Sequence, residues 1–222
     1  MPIKAVIFDM DGVLINSEPY YYEYLNQRFD KLGLSVTSEE YNGFVGLPSN
    51  KVWSYLETTR GITLGIEDLM KNEEEQINHI FSQAHLEPIE GVRDLMLKLN
   101  SLQIPMSVAS SSYKSTIELI IKKLGLQKFF EFLVSGTEVK KGKPHPDIFL
   151  KSAKLHNVLP QECLVIEDST NGLTGARKAG MFCVGFKNPG SGQQDLSQAQ
   201  VIIEDYRKDS IQAFIHMVEN SQ

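Results

Sequence analysis

The stretch FDMDGVLINSEP, residues 8–19, begins where an apolar run meets two aspartates one residue apart. The run 3–8 is interrupted only by Lys4, and its length and composition predict a buried strand. In extended backbone, side chains two residues apart project to the same side, so Asp9 and Asp11 are expected to lie close together. Such carboxylates repel each other unless a cation or a proton compensates them, which makes this strand end a candidate functional site.

Five further short apolar runs, rich in Val and Ile, follow along the chain. They are 104–110, 129–136, 163–168, 182–186 and 201–203. Stretches with apolar residues at helical spacing lie between or after them. The helices predicted in this way are 91–101, 114–124, 146–156, 171–179 and 208–219. Alternation of strands and helices is typical of a parallel sheet covered on both faces, so we expect an α/β fold with a Rossmann-like, doubly wound parallel sheet.

The region from 17 to 84 interrupts this alternation. It has no convincing apolar strand, and its pattern is helical and polar, including the run NEEEQ at 72–76. A helical stretch after the first strand of an α/β sheet indicates an inserted unit. We therefore expect a core domain formed by residues 1–16 and 85–222, and a small α-helical cap domain formed by residues 17–84.

Composition and charge exclude several classes of partner. The 222 residues are 41% hydrophobic, enough to bury a core, and 22 basic residues stand against 28 acidic ones without a dense Lys/Arg block. We expect no nucleic-acid partner. No apolar run approaches the ~18 residues that span a bilayer, so we expect no membrane partner and a cytoplasmic location. A monomer is the default expectation. Cys163 and Cys183 lie in apolar contexts, which favours buried thiols over a disulfide.

Polar residues stand at the ends of the predicted strands, where open parallel sheets bind ligands. Besides the two aspartates, they are Ser110, Ser111 and Ser112, then Lys143 in KGKPHPD, and then Glu167 and Asp168. Crowded carboxylates call for a cation, and hard oxygen ligands with an incomplete shell suit Mg²⁺ together with a substrate phosphate oxygen. The lysine and the serines are then available to hold a phosphate. An ionised aspartate is also a competent nucleophile at phosphorus.

Four motifs together resemble those of the haloacid dehalogenase superfamily. They are DxDG at 9–12, Ser110 after Val-Ala, Lys143 before Pro144, and EDS at 167–169 followed by GLTGARKAG. Their order and separations are those of its subfamily IA, the β-phosphoglucomutase-like phosphatases with a small helical cap. The resemblance covers the whole chain and implies a Mg²⁺-dependent phosphatase that hydrolyses a small phosphomonoester, such as a sugar phosphate, through an aspartyl-phosphate.

The resemblance also implies roles for individual residues. Asp9 would be the nucleophile, and Asp11 would protonate the departing alcohol and then activate water. Ser110 and the backbone N–H of Ser111 would bind the phosphoryl group, and Lys143 would neutralise its charge.

The metal ligands follow from the same resemblance. Asp168 would bind Mg²⁺ with the Asp9 carboxylate and the main-chain carbonyl of Asp11. Glu167 would be an additional ligand, or it would contact the other ligands without binding the metal itself.

Specificity in this family comes from the cap. We expect the loop 44–53, FVGLPSNKVW, to close over the leaving group, with Lys51 and Tyr21 as candidate substrate contacts. Trp53 is interpreted as cap core, and Ser112 as a residue that caps the helix beginning near Lys114.

Three alternative functions remain open. The related β-phosphoglucomutases carry a histidine and an arginine where this chain has Tyr21 and Ser49, which favours hydrolysis over phosphate transfer within a sugar. Dehalogenases attack carbon and need neither the second aspartate nor Mg²⁺, so Asp11 argues against that chemistry. A protein that only binds a phosphorylated metabolite would be expected to have a broken motif set. Asn16 replaces an aspartate that many relatives carry, and the physiological phosphomonoester is not specified by the sequence.

Overall fold

The computed structural model describes residues 2–45 and 47–220. Six strands form one parallel sheet in the order β3-β2-β1-β4-β5-β6. The strands are β1 Ala5–Phe8, β2 Met106–Ser110, β3 Phe132–Ser135, β4 Cys163–Glu167, β5 Phe182–Phe186 and β6 Val201–Ile203. Each lies within a run that the sequence predicts as a strand, and the Rossmann-like fold is confirmed.

Strand β1 lies in the middle of the sheet and is covered on both faces. Val6 and Phe8 contribute to one apolar cluster, whereas Ala5 and Ile7 contribute to the other. Alternate side chains of one strand therefore enter two separate cores, as expected for a doubly wound sheet. Because β1 pairs with both β2 and β4, the residues that follow these three strands meet at one edge.

Ten helices are present in the described part of the chain. They are α1 Glu18–Leu32, α2 Ser38–Asn42, α3 Ser49–Arg60, α4 Ile66–Met70, α5 Glu73–Gln83, α6 Val92–Ser101, α7 Lys114–Lys123, α8 Asp147–Leu155, α9 Thr170–Lys178 and α10 Lys208–Asn220. The last five agree with the predicted helices to within one residue at either end. Gly125 and Gly180, just beyond α7 and α9, have positive φ angles of 64° and 79°, which suit helix ends.

The third strand begins later than predicted. Residues Gln127–Phe129 form a 3₁₀ turn, and β3 starts only at Phe132. Leu126 and Phe129 are both buried, and their spacing of three residues places them on one side of such a turn. The apolar run 129–136 thus combines a buried turn with a short strand, which a continuous apolar pattern does not separate.

Five helices and no strand lie between β1 and α6 in the described residues of that region. Their centre is apolar: Trp53 is fully buried and packs edge-on against Phe29, with ring centroids 5.5 Å apart. Trp53 is therefore core, as predicted. The division into a cap and a core domain remains our proposal, and we use "cap helices" for α1–α5.

The cap helices contact the rest of the chain through a polar interface between α5 and α7. Asn78 accepts a hydrogen bond from Thr116 at 2.7 Å and donates one to Ser115 at 2.6 Å. The ammonium group of Lys123 donates to three carbonyl oxygens at the end of α5. These belong to Phe81 at 2.9 Å, Ser82 at 2.6 Å and Ala84 at 2.6 Å. Helix α5 is therefore held to the core by directional contacts.

The predicted loop 44–53 is shorter than expected. Helix α3 begins at Ser49, directly after Pro48, which has extended backbone angles, and Val52 and Trp53 are buried on that helix. A proline fits readily next to the first helical residue because it has no N–H to satisfy there. The part of the predicted loop at Gly46 lies outside the described residues.

Two smaller expectations concern the cysteines and the membrane. Cys163 and Cys183 are free and fully buried, and burial raises the pKa of each thiol to about 12. Within residues 2–45 and 47–220, no helix combines the length and apolarity needed to cross a bilayer.

Candidate active site

Asp9 follows β1 directly and lies at the centre of the edge where the residues that follow β1, β2 and β4 meet. It is 5% exposed, and its backbone N–H donates to the Ile166 carbonyl of β4 at 2.9 Å. Gly12 turns the chain away with a φ of 81°, and a Cβ there would lie 1.9 Å from an Asp168 carboxylate oxygen. Only glycine fits such a turn, so the loop after β1 can approach the end of β4.

Lys143 joins two carboxylates beneath this edge. Its ammonium group lies 2.5 Å from Asp9 Oδ1 and 2.5 Å from Glu167 Oε1, and it also donates to the Ala109 carbonyl at 2.9 Å. The side chain is only 6% exposed. Burial alone lowers the pKa of Lys143, but the two carboxylates outweigh it and hold the pKa above its ordinary value. The lysine is therefore a permanent positive charge inside the site.

Glu167, at the end of β4, has both carboxylate oxygens engaged. While Oε1 receives the lysine, Oε2 accepts from the N–H of Ser169 at 3.0 Å and from its hydroxyl at 2.9 Å. Gly172 of α9 packs directly against this carboxylate, since a Cβ there would lie 1.8 Å from Oε1. Gly172 is thus a packing glycine.

Asp168 lies beside Glu167 and receives a hydrogen bond from the Ser191 hydroxyl. It is 6% exposed, and burial, with the charge of Glu167 next, raises its pKa to about 7. Neighbouring Asn188 donates to the Gly12 carbonyl at 2.8 Å and to Asn16 Oδ1 at 2.7 Å. The segment 188–191 therefore braces both the turn after β1 and the acidic end of β4.

Asp11 is held by hydroxyl groups from the loop after β2. Its Oδ2 accepts from Ser110 at 3.0 Å and from Ser112 at 2.9 Å, while Oδ1 is buried and has no hydrogen-bond partner among the described residues. Ser112 was expected to cap α7, but the N-cap is Tyr113 and makes no side-chain cap bond. That expectation is wrong, because the Ser112 hydroxyl turns towards Asp11.

Three of the acidic groups are placed so that they could hold a metal ion. Oxygen atoms of Asp9, Glu167 and Asp168 lie within 4.8 Å of one another. Burial raises the pKa of Asp9 well above its ordinary value; Lys143 opposes this effect, whereas Glu167, Asp168 and Asp11 add to it. One lysine thus leaves part of the negative charge uncompensated, and this donor set suits a hard divalent cation.

The remaining predicted residues lie at different distances from this cluster. Ser110 is fully buried at the end of β2. Ser111 is exposed, and its Cα would lie 3.2 Å from a Cβ placed on Gly136. Lys51 is exposed on α3. Tyr21 of α1 is half-buried, and its hydroxyl lies 2.7 Å from Ser112 Oγ.

Sequence reasoning missed Asn188 and Ser191, and it named Ser112 and Ser169 without the contacts to Asp11 and Glu167 that the structure shows. The residues 190–200 are rich in Gly, Ser and Gln, a composition typical of a surface loop. Ser169 had a local signal, since a serine next to two acidic residues and before a helix is a typical N-cap. It does cap α9, accepting from Gly172 N–H at 3.0 Å.

Comparison with known proteins identifies the family. The family model described as haloacid dehalogenase-like hydrolase matches residues 6–186. A phosphorylated carbohydrates phosphatase of Thermotoga maritima is 32% identical over 179 residues, which cover 81% of this chain and 82% of the relative. A β-phosphoglucomutase of Bacillus subtilis is 30% identical over 207 residues, covering 90% and 89%.

Among solved structures, the β-phosphoglucomutase of Clostridium difficile has a TM-score of 0.79 and 25% identity. The similarity covers 98% of this chain and 99% of that protein. It therefore extends over the sheet and the cap helices alike.

Proposed function

The chain belongs to the haloacid dehalogenase-like hydrolases, and from that premise we propose that it is a Mg²⁺-dependent phosphatase of small phosphomonoesters. Sugar phosphates and similar metabolites are the proposed substrates. The observation that carries this proposal is the pairing of Asp9, held by Lys143, with Asp11, whose Oδ1 is unpartnered among the described residues. In this proposal one carboxylate attacks, and the other provides an oxygen that exchanges a proton.

The first half-reaction forms an aspartyl-phosphate. A carboxylate oxygen of Asp9 bonds to phosphorus while the ester oxygen departs, and Asp11 transfers a proton from Oδ1 to the leaving alkoxide. Lys143 favours the ionised form of Asp9, which is the nucleophilic form. In the second half-reaction, Asp11 takes a proton from water, the water oxygen bonds to phosphorus, and the Asp9 carboxylate is released with inorganic phosphate.

We assign binding of the phosphoryl group to residues at the end of β2 and in the segments that follow β2 and β3. The hydroxyl of Ser110 and the backbone N–H of Ser111 would donate to its oxygens, and Lys143 would offset its charge. Catalysis by such groups depends on positioning and charge stabilisation, as is usual for phosphoryl transfer.

The metal would be held by Asp168, the Asp9 carboxylate and the main-chain carbonyl of Asp11. When bound, Mg²⁺ supplies positive charge that balances the carboxylates and the phosphoryl oxygens. We assign Glu167 a supporting role, because both of its oxygens already receive hydrogen bonds from Lys143 and Ser169.

The cap helices would choose the leaving group. Tyr21 carries its hydroxyl to the edge of the site, and a cap closed over the core would exclude water during attack. Lys51, exposed on α3, is proposed only as a contact for a substrate that extends towards that helix.

A screen of phosphorylated metabolites for Mg²⁺-dependent phosphate release tests this function. Asp9→Asn, which keeps the shape of the side chain, should reduce release by at least ~10³-fold because it removes the nucleophile. Asp195→Asn changes an exposed aspartate in the loop after β5 and should have no effect. Undiminished release by Asp9→Asn would refute the mechanism.

Mutase activity is the alternative to exclude. We propose hydrolysis because Tyr21 and Ser49 stand where the resembling mutases carry a histidine and an arginine. Isomerisation of a sugar phosphate by the purified protein, in the presence of a sugar bisphosphate primer, would replace our proposal with phosphate transfer.

A further inference from the structure

The hydroxyl of Tyr21 links a cap helix to the site. Tyr21 lies on α1, and its ring packs edge-on against Phe81 of α5, with centroids 5.5 Å apart. Its hydroxyl lies 2.7 Å from Ser112 Oγ, in the loop between β2 and α7. One hydrogen bond therefore joins α1 to the loop that holds Asp11.

The direction of this hydrogen bond follows from counting protons. A serine hydroxyl has a single hydrogen, and Ser112 directs it to Asp11 Oδ2 at 2.9 Å. Tyr21 must then be the donor to Ser112. Burial, and next the charge of Asp11, raise the pKa of Tyr21 well above its ordinary value, so the phenol keeps the proton that this bond requires.

The resulting chain controls which oxygen of Asp11 carries a proton. Since Oδ2 accepts from Ser110 and Ser112, a proton added to Asp11 is directed to Oδ1. Ser110 also has only one hydrogen, and on substrate binding it would turn to the phosphoryl group. Ser112 would then be the one remaining hydroxyl donor of this pair, and Tyr21 would fix the orientation of that donor.

We propose that Tyr21 is a positioning residue which acts through Ser112 to hold Asp11 Oδ2 as an acceptor and Oδ1 as the proton-bearing oxygen. The inference rests on the proposed phosphatase function. Because Tyr21 belongs to α1, the arrangement exists only while this helix lies over the core. The hydrogen bond of Tyr21 thus links α1 to the orientation of the general acid.

A pair of substrates that differ in leaving group tests the proposal. Phenyl phosphate and p-nitrophenyl phosphate share a ring, but the nitrophenolate departs more readily without protonation. Tyr21→Phe should lower kcat for phenyl phosphate by about tenfold and for p-nitrophenyl phosphate by less than about twofold. Ser112→Ala should give the same pattern. In the double variant, kcat for phenyl phosphate should fall no further than in either single variant.

Tyr20→Phe is the matched control. Tyr20 also lies on α1 against Phe81, but its hydroxyl donates to the His85 carbonyl at 3.0 Å, away from Asp11. This variant should hydrolyse both esters at the wild-type rate.

Three results would overturn the positioning role: equal slowing of both esters by Tyr21→Phe, a raised KM with unchanged kcat, or additive losses in the double variant. A raised KM would identify Tyr21 as a substrate contact instead. The proposed function fails on a separate result, which is phosphate release that survives Asp9→Asn.

Discussion

The ammonium group of Lys143 lies 2.5 Å from the carboxylate of Asp9, and both side chains are withdrawn from solvent. An intact buried ion pair adds little net stability, but loss of one partner leaves an uncompensated charge buried away from water. Here a single lysine serves two carboxylates, since Glu167 lies at the same distance on its other side. We therefore expect folding and the proposed catalysis to depend on the same ammonium group.

Replacement of this lysine should destabilise the protein as well as inactivate it. Lys143→Met leaves Asp9 and Glu167 buried without their cation, and we expect the free energy of unfolding to fall by about 3 kcal/mol at neutral pH. Urea unfolding in the absence of Mg²⁺ measures this change. Lys141→Met removes an exposed lysine from the same loop and should leave the midpoint in place.

A second substitution separates the two roles of Lys143. The double variant Lys143→Met/Glu167→Gln removes one of the stranded charges, so part of the lost stability should return. Phosphate release should stay absent. If the free energy of unfolding of Lys143→Met falls by less than about 1 kcal/mol, the two carboxylates tolerate burial without the lysine.

Stability of the metal-free protein should fall as the pH rises from about 4 to about 7. The pKa of Asp168 is raised to about 7 from an ordinary value of 3.8, so the folded state binds this proton more tightly than the unfolded chain does. That contribution is fully present below the ordinary pKa and is lost as the pH passes the raised one. Chemical unfolding in the presence of EDTA at several pH values measures the slope.

Asp168→Asn is the matching variant for this pH dependence. It removes the titrating carboxylate, so the free energy of unfolding should depend less steeply on pH. At pH 8 the free energy of unfolding of the metal-free variant should exceed that of wild type by about 2 kcal/mol. Mg²⁺ should stabilise wild type at pH 8 and leave this variant unaffected. Parallel pH profiles for the two proteins would contradict the assignment of the raised pKa to Asp168.

Ser191 should tune the affinity for Mg²⁺. Its hydroxyl donates to Asp168 and fixes the orientation of that carboxylate, and loss of such a supporting contact weakens metal sites by about tenfold or more. Ser191→Ala should therefore raise the Mg²⁺ concentration for half-maximal activity by about this factor, with kcat at saturation changed far less. Ser197→Ala, an exposed serine of the same loop, is the control, and identical Mg²⁺ curves for both variants would exclude the role.

Lys123 should hold α5 against the core. Lys123→Met removes the donor to three carbonyl oxygens at the end of that helix, and we expect faster hydrogen exchange of the backbone amides in 80–86. Lys122→Met, at an exposed neighbouring position on α7, should leave exchange unchanged. Equal exchange in both variants would show that the remaining α5–α7 contacts suffice.

The sequence was a good guide to the sheet and to the groups at its edge. Asp9, Ser110 and Glu167 each stand at the end of an apolar run, and parallel strands bring their ends together whatever the loops do. The strand at Phe132–Ser135 was less well predicted because a buried 3₁₀ turn and a strand have similar apolar content.

The contacts that orient these groups could not be predicted in the same way. Ser112 reaches Asp11 across 101 positions of sequence, and Ser191 reaches Asp168 from a loop whose composition indicates only exposure. A hydroxyl has no periodicity to reveal its direction, and its path depends on how the loop leaves the strand. A helix-capping role is the usual prediction for serine before a helix, but the Ser112 hydroxyl donates instead to the carboxylate of Asp11 in the loop after β1.

The central place of β1 has a consequence for synthesis on the ribosome. Residues 5–8 emerge before their neighbours in the sheet, which are 106–108 on one side and 163–166 on the other. The cap helices therefore leave the exit tunnel while the strand before Asp9 still lacks both partners. A nascent chain that stalls before β2 carries an apolar strand without either partner, and we expect chaperones to recognise the protein at that stage of translation.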